Sequence, residues 1–176
     1  ALYADVLAKN GVELIAKPSA GSPENLQRLR DPNSGVDAAF IQGGTTLSKS
    51  DDDALVSLGE LYYEPLWIFY RNGVLKEGAA VLDLKGKRLA IGKVGSGTQH
   101  LAMEILSVNG INAQNTPLIS AGGFEVAAQL QTGEIDAVFV VGPTQSALVW
   151  ALLYSPGVHL LDITQAEAYT RQFAYL

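Results

Sequence analysis

The chain of 176 residues is 48% hydrophobic and carries a formal charge of −6, enough apolar content to bury a core in one domain or two small lobes. That charge repels nucleic acid and anionic membrane surfaces, and no stretch approaches the roughly 18 to 20 unbroken apolar residues of a membrane span. With no cysteine and only His100 and His159, disulfides, thiolate metal sites, a cysteine nucleophile and a multi-histidine cluster are excluded, and no cofactor is expected.

In chain order, VLAKNGV (6–12) reads as a helix stopped at Asn10-Gly11, where glycine supplies the left-handed residue that ends a helix. A short strand should follow, then the turn Ser19-Ala20-Gly21-Ser22, a helix through ENLQRL, and an apolar strand after Asp37 that ends in Gln42, Gly43, Gly44 and Thr45. The polar segment TTLSKSDDDA (45–54) reads as a surface loop or helix start with a solvated acidic run. LYYEPLWIFYRNGVLKEG (61–78) is β-rich, with Pro65 and a turn at Asn72-Gly73, and reads as a crossover.

Next come strand RLAIG, turn KVGSGT, a helix starting near Gln99 and stopped at Asn109-Gly110, turn SAGG, a helix, and strand AVFVV, which starts after Asp136 and ends at Gly142. An unbroken run such as AVFVV is what a strand buried on both faces looks like. GVHLLDITQAEAYTRQFAYL then offers one more strand and a helix.

These elements form a repeat. SAGSPENLQRL (19–29) is answered by SAGGFEVAAQL (120–130), GVDAAFIQG (35–43) by EIDAVFVVG (134–142), and VLAKNGV by ILSVNGI. Alternating strands and helices imply mainly parallel sheets. The expected architecture is therefore α/β and two-lobed: residues 1–66 form a first lobe, 67–157 a second, and 158–176 a strand and helix that return toward the first. The second unit opens with RLAIG and KVGSGT, whose equivalents in the first unit would fall before Ala1. The first lobe is expected to lack its leading strand.

The Gly95-Ser96-Gly97-Thr98 turn is the chemical question. It lacks the Lys of a Walker A loop, and His100 stands where the dinucleotide fingerprint needs its third glycine. Ser96 lacks the outer spacing of a nucleophile elbow, and His100, on the first turn of a helix, should point away from it. No enzyme chemistry is expected. What remains is a small-residue turn at a helix N-terminus, where unpaired amides and the Ser96 and Thr98 hydroxyls suit a carboxylate; equally, Thr98 caps its helix. In an open parallel sheet the strand C-terminal ends converge on a crevice, and here they all carry small polar turns: SAGS, QGGTT, GSGT, SAGG and VGPTQS. Arg71, Lys76, Lys85, Lys87, Arg88 and Lys93 make residues 71–93 locally basic, either as an ordinary surface or as a field at the cleft.

The ordered set ENLQRLRDPNSGVDAAFIQGG, LGELYYEPLWIFYR, LKGKRLAIGKVGSGTQHLAMEILSVNGI and AQLQTGEIDAVFVVG resembles the TAXI group of extracytoplasmic receptors for TRAP transporters, over nearly the whole chain. The resemblance implies the type 2 periplasmic-binding-protein fold, a periplasmic location, a small organic acid or amino acid ligand, glutamate-like ligands among them, and TRAP membrane subunits as partners. It carries ligand contacts onto Ser19, Gly21, Ser22, Gln42, Gly43, Gly44, Gly95, Ser96, Gly97 and Thr98, with Tyr62 and Glu64 in the crossover; Thr45 and Gly142 join them from the strand-end turns. Glu64 pairs with a ligand ammonium or serves as a hinge residue. The chain departs from the family in length, lacking the opening strand and a portion beyond RQFAYL. The same architecture serves the effector domains of LysR-type regulators, which carry a helix-turn-helix upstream; fold alone does not separate the two.

Overall fold

The computed structural model describes residues 2–45 and 55–173. Most of the polar acidic segment, from Thr46 to Ala54, lies outside them. The elements in order are α1 (Leu2–Ala8), α2 (Ser22–Arg30), β1 (Leu66–Arg71), β2 (Leu89–Ala90), α3 (Gly97–Val108), β3 (Leu118–Ile119), α4 (Glu125–Thr132), β4 (Ala137–Val141), α5 (Ala147–Leu153), β5 (Val158–Leu160) and α6 (Ala166–Gln172), with a 3-10 turn at Val81–Leu84 before β2.

The α/β class is as expected. One five-stranded sheet has the order β3-β2-β4-β1-β5. β2 pairs in parallel with β3 and β4, so the strand-helix repeat builds a parallel centre. β1, the crossover strand, is antiparallel to β4 and to β5 and widens the sheet on one side.

Period-two alternation divides the core between the two faces. From β1 and β4, Ile68, Ala137 and Phe139 face one cluster with Leu101, Ala102, Ile105 and Leu106 of α3. Phe69, Val138 and Val140 face the other, with Val126 and Leu130 of α4 and Val149 and Leu152 of α5. The buried positions on α3 recur at helical spacing, which turns one stripe of that helix onto the sheet. α6 lies on the α3 side: Tyr169 and Phe173 pack against the first cluster, and the Asn109 amide donates to the Tyr169 hydroxyl at 2.7 Å. As far as Phe173, the terminal strand and helix pack on β1 and on the α3 side of the sheet, ending beside His100 on α3.

The first unit differs from its expected form. Residues 12–18 and 36–42 have no regular secondary structure and join no ladder with any described residue. Their apolar side chains are in water, Ile15 at 73% and Phe40 at 57% exposure. Lys17 Nζ holds the two stretches together by donating to the carbonyls of Ser34 and Gly35 at 2.9 and 2.7 Å. The pattern favours strand, but a strand exists only when a neighbour takes its amides and carbonyls.

At the N-terminal end of the parallel strands β2 and β4, where antiparallel β1 ends, Asp136 ties three strands together. Its carboxylate accepts from the Arg88 backbone amide and from the guanidinium groups of both Arg88 and Arg71, at 2.6 to 3.1 Å. The Arg88 guanidinium, with its amide and Arg71 behind it, holds the Asp136 carboxyl far below the usual carboxylate range against the cost of burial.

Candidate functional site

The turn between β2 and α3 is folded tightly over Gly92. A Cβ there would lie 2.9 Å from the Gln99 amide nitrogen, Ser96 Oγ and Thr98 Cβ, and its φ of +96° is costly for any other residue. Ser96, not Thr98, is the N-cap of α3: its hydroxyl accepts from the Gln99 amide at 3.2 Å and donates to the Lys93 carbonyl at 2.7 Å. The Ser96 hydroxyl is thereby committed to the fold, while the Thr98 hydroxyl has no hydrogen bond to any described residue.

Gln99 extends the turn sideways. Its Oε1 accepts from the Gly95 amide at 3.0 Å and its Nε2 donates to Ser120 Oγ at 3.1 Å, which links the GSGT turn to the SAGG turn after β3. The Gln99 and His100 amides are satisfied by Ser96. The amides of Gly97 and Thr98, at the first two positions of a 12-residue helix, have no partner among the described residues, and the helix dipole leaves positive character there.

The first unit docks against this turn. Gly21 comes so close that a Cβ on it would stand 2.8 Å from the Gly95 carbonyl oxygen and 3.2 Å from Ser96 Cα, and its φ of +152° with ψ −166° is open only to glycine. Gln42 reaches across to Gly97: a methyl added at Gly97 would lie 1.7 Å from Gln42 Oε1. Gln42 is itself held at both backbone groups, its amide donating to Ser22 Oγ at 2.8 Å and its carbonyl accepting from the Thr45 hydroxyl at 2.8 Å. Thr45 is buried. His100 Nε2 approaches the Gly44 carbonyl at 3.4 Å. Gly21, Gln42, Gly44, Gly95, Ser96 and Gly97 are therefore together, with Ser22 and Thr45 as supports behind Gln42 and not as exposed donors. Ser19 and Gly43 are on the exposed surface of their turns.

A second station stands at the C-terminal end of β4, next to β2 in the sheet. Tyr62, Tyr63, Pro65, Pro143, Thr144 and Gln145 line an open cavity of about 480 Å³. Gly142 immediately precedes Pro143 of this lining: its amide donates to the Pro65 carbonyl at 3.2 Å, and its carbonyl accepts from the Trp67 indole at 2.9 Å. Both backbone groups of Gly142 are thereby engaged within the fold. The charge of Glu64, followed by partial burial and then Tyr3 of α1, raises the Tyr62 phenol above its ordinary value, so this tyrosine and glutamate act as a pair.

Of the basic stretch, Arg71 and Arg88 are spent on Asp136, and Lys93 reaches Glu125 at 3.7 Å. Sequence reasoning missed Gln99 and Trp67. Gln99 stands four residues after Gly95, the helical spacing that lets its side chain reach back, whereas Trp67 carried no local signal.

Among the described residues no helix is long and apolar enough to cross a membrane. Comparison with solved structures finds an ABC transporter periplasmic binding protein from Brucella ovis with glutathione bound, at 18% identity and a TM-score of 0.45, over 57% of this chain and 30% of that one. It also finds the aliphatic sulphonate binding protein SsuA from Escherichia coli, at 22% identity and a TM-score of 0.47, over 60% and 33%. A third is SsuA from Xanthomonas axonopodis pv. citri bound to MOPS, at 21% identity and 0.44, over 64% and 42%. The chain spans about a third of the length of the first two. A family model matches residues 1–175, and on that match the chain belongs to the NMT1-like family.

Proposed function

We propose that the chain is part of an extracytoplasmic solute-binding receptor. It captures a small organic acid or amino acid, glutamate-like in its carboxylate, between the first-unit turns and the N-terminus of α3, and hands it to a TRAP-type membrane transporter. No catalytic step is assigned to it. The observation that carries this reading is the meeting of turns from both units at Gly95 to Gly97, at the head of a helix whose Gly97 and Thr98 amides have no described partner and which favours negative charge.

The residues take distinct parts. The Gly97 and Thr98 amides and the Thr98 hydroxyl would receive the carboxylate, Gly21 and Gln42 would close over it, and Ser96 and Gln99 hold the turn in shape. Tyr62 and Glu64 flank the neighbouring cavity, where a ligand ammonium would find the Glu64 carboxylate. Closure gains its energy only from ligand contacts made by both units at once, because a ligand held equally well in the open form shifts nothing. The TRAP partner and the periplasmic location rest on the sequence resemblance, and the type of transporter is decided by which membrane subunits co-purify with the receptor.

The test is thermal unfolding with glutamate, glutamine, 2-oxoglutarate, C4 dicarboxylates, an alkanesulphonate and ATP. A ligand at about 100 times its Kd adds about 2.7 kcal/mol, a rise on the order of 5 to 10 °C for a chain of this size. Such a rise with one small acid and none with ATP is the expected result. A rise with ATP alone overturns the reading.

A further inference from the structure

Resting on the receptor reading, we propose that the cavity at the C-terminal end of β4 holds an aromatic ring, so that the solute is an aromatic acid or aromatic amino acid and not a dicarboxylate. The lining points to a ring. Of its six residues, Tyr62, Tyr63, Pro65 and Pro143 carry rings. The backbone beside the prolines is spent: neither has an N–H, the Pro65 carbonyl accepts from the Gly142 amide at 3.2 Å, and the Pro143 carbonyl accepts from the Ser146 amide at 2.9 Å. These walls therefore present hydrocarbon and aromatic faces. Pro65 and Pro143 also flank the end of the β1–β4 ladder, where Leu66 pairs with Val141, so that part of the lining is set by the sheet before any ligand arrives. Tyr62 and Tyr63 are 62% and 89% exposed, which leaves their rings free to be covered, and about 480 Å³ is within the range of small-molecule sites.

Charge separates a ring from a second carboxylate. The lining contains no lysine, arginine or histidine, and the charge that bears most on Tyr62 is the negative one of Glu64. The distal carboxylate of a glutamate-like solute would enter without a counter-charge and beside a like charge, at the cost of part of its hydration. A neutral ring meets no such cost, and against a tyrosine it gains from stacked or edge-on contact beyond the area it buries. The polar side chains that remain, Thr144 and Gln145, have no hydrogen bond to any described residue and leave one edge of the cavity for a ring substituent.

The experiment titrates the whole chain calorimetrically with phenylalanine against glutamate and with phenylpyruvate against 2-oxoglutarate, pairs that share their acid head and differ in the body. The ring member of a pair should bind about 10-fold or more tightly. Tyr63→Ala should narrow that preference by about 2- to 10-fold, and Tyr63→Phe should keep it; at 89% exposure Tyr63 can be changed without disturbing the fold, which the solute-free unfolding midpoint checks. A dicarboxylate that binds as tightly as its ring partner, or a preference untouched by Tyr63→Ala, overturns the proposal and leaves the receptor reading standing. p-Cresol, a neutral ring with no acid, separates the two readings. If it binds, and binds more weakly to Tyr63→Ala, while none of the acids binds, the receptor reading fails and the ring site stands. If neither p-cresol nor any of the acids binds, the ring site is overturned as well.

Discussion

Asp37-Ala-Ala-Phe-Ile-Gln in the first unit and Asp136-Ala-Val-Phe-Val-Val in the second begin alike and place a phenylalanine at the same offset. One has no regular secondary structure and leaves Phe40 more than half exposed; the other is β4, with Phe139 at 1% exposure and strands on either side. Residue type therefore does not account for the difference. β4 is flanked by β2 and β1, which take its backbone groups and bring α3, α4 and α5 onto its two faces. The 36–42 segment has the same preference but no described ladder partner, so its preference buries little.

The largest expected effect follows from that contrast. Phe139→Ala removes a ring from the centre of a closed cluster and should cost about 3 to 5 kcal/mol, whereas Phe40→Ala should stay within about 1 kcal/mol, because its ring leaves water only partly and touches mainly Tyr3 at 5.3 Å between centroids. Urea unfolding of both variants measures the two values. Equal losses would mean that the first unit is packed as tightly as the second and would remove the basis of the comparison.

The paired aspartates sharpen it further. Asp136 has a side chain only 10% exposed and is bonded to two arginines and an amide, so Asp136→Asn should cost about 3 kcal/mol, since it leaves guanidinium groups without their counter-charge. Asp37 is exposed, and Asp37→Asn should fall within about 0.5 kcal/mol. Because the folded Asp136 carboxyl is held below its unfolded value, its contribution is complete above the unfolded value near ~3.9 and is lost as pH falls through the folded one. The gap between wild type and Asp136→Asn should accordingly be constant above about pH 5 and narrow steadily as pH is lowered from about 4 toward 2, as followed by urea midpoints. A gap that persists in acid would assign the loss to packing.

How far the sequence could be read follows the same division. The elements of the second unit, the crossover strand and the terminal strand and helix were legible because apolar periodicity and glycine stops report directly on structures that are then buried. The approach of Gly21 and Gln42 to the GSGT turn agrees with the repeat, which groups these turns, although the first-unit strands that the repeat puts before them do not form. The inner workings of the site were not. Ser96 and Thr98 offer equivalent hydroxyls in the sequence, and only the backbone path over Gly92 selects Ser96 as cap. Gly142 looks like the other small turn residues, and only Trp67, 75 positions away, takes its carbonyl out of play. The missing ladder of the first unit is a fact about neighbours, which a local pattern does not contain.

The crossover belongs by sequence to neither unit, and Tyr62 offers a small but clean reading of where it stands. The Glu64 charge is the main cause of its raised phenol, with partial burial and Tyr3 of the first unit behind it. Removing the charge by Glu64→Gln should bring the Tyr62 phenol down toward the ordinary value near ~10, while Tyr3→Phe should move it in the same direction by less. Alkaline difference absorbance, with Tyr62→Phe subtracted to isolate the one phenolate, follows both. If Tyr3→Phe moves it more than Glu64→Gln, the crossover at Tyr62 is governed by the first unit. If only Glu64→Gln moves it, Tyr62 and Glu64 form a local pair that travels with the second unit's cavity, and a ligand ammonium bound at Glu64 would lower the phenol in the same sense.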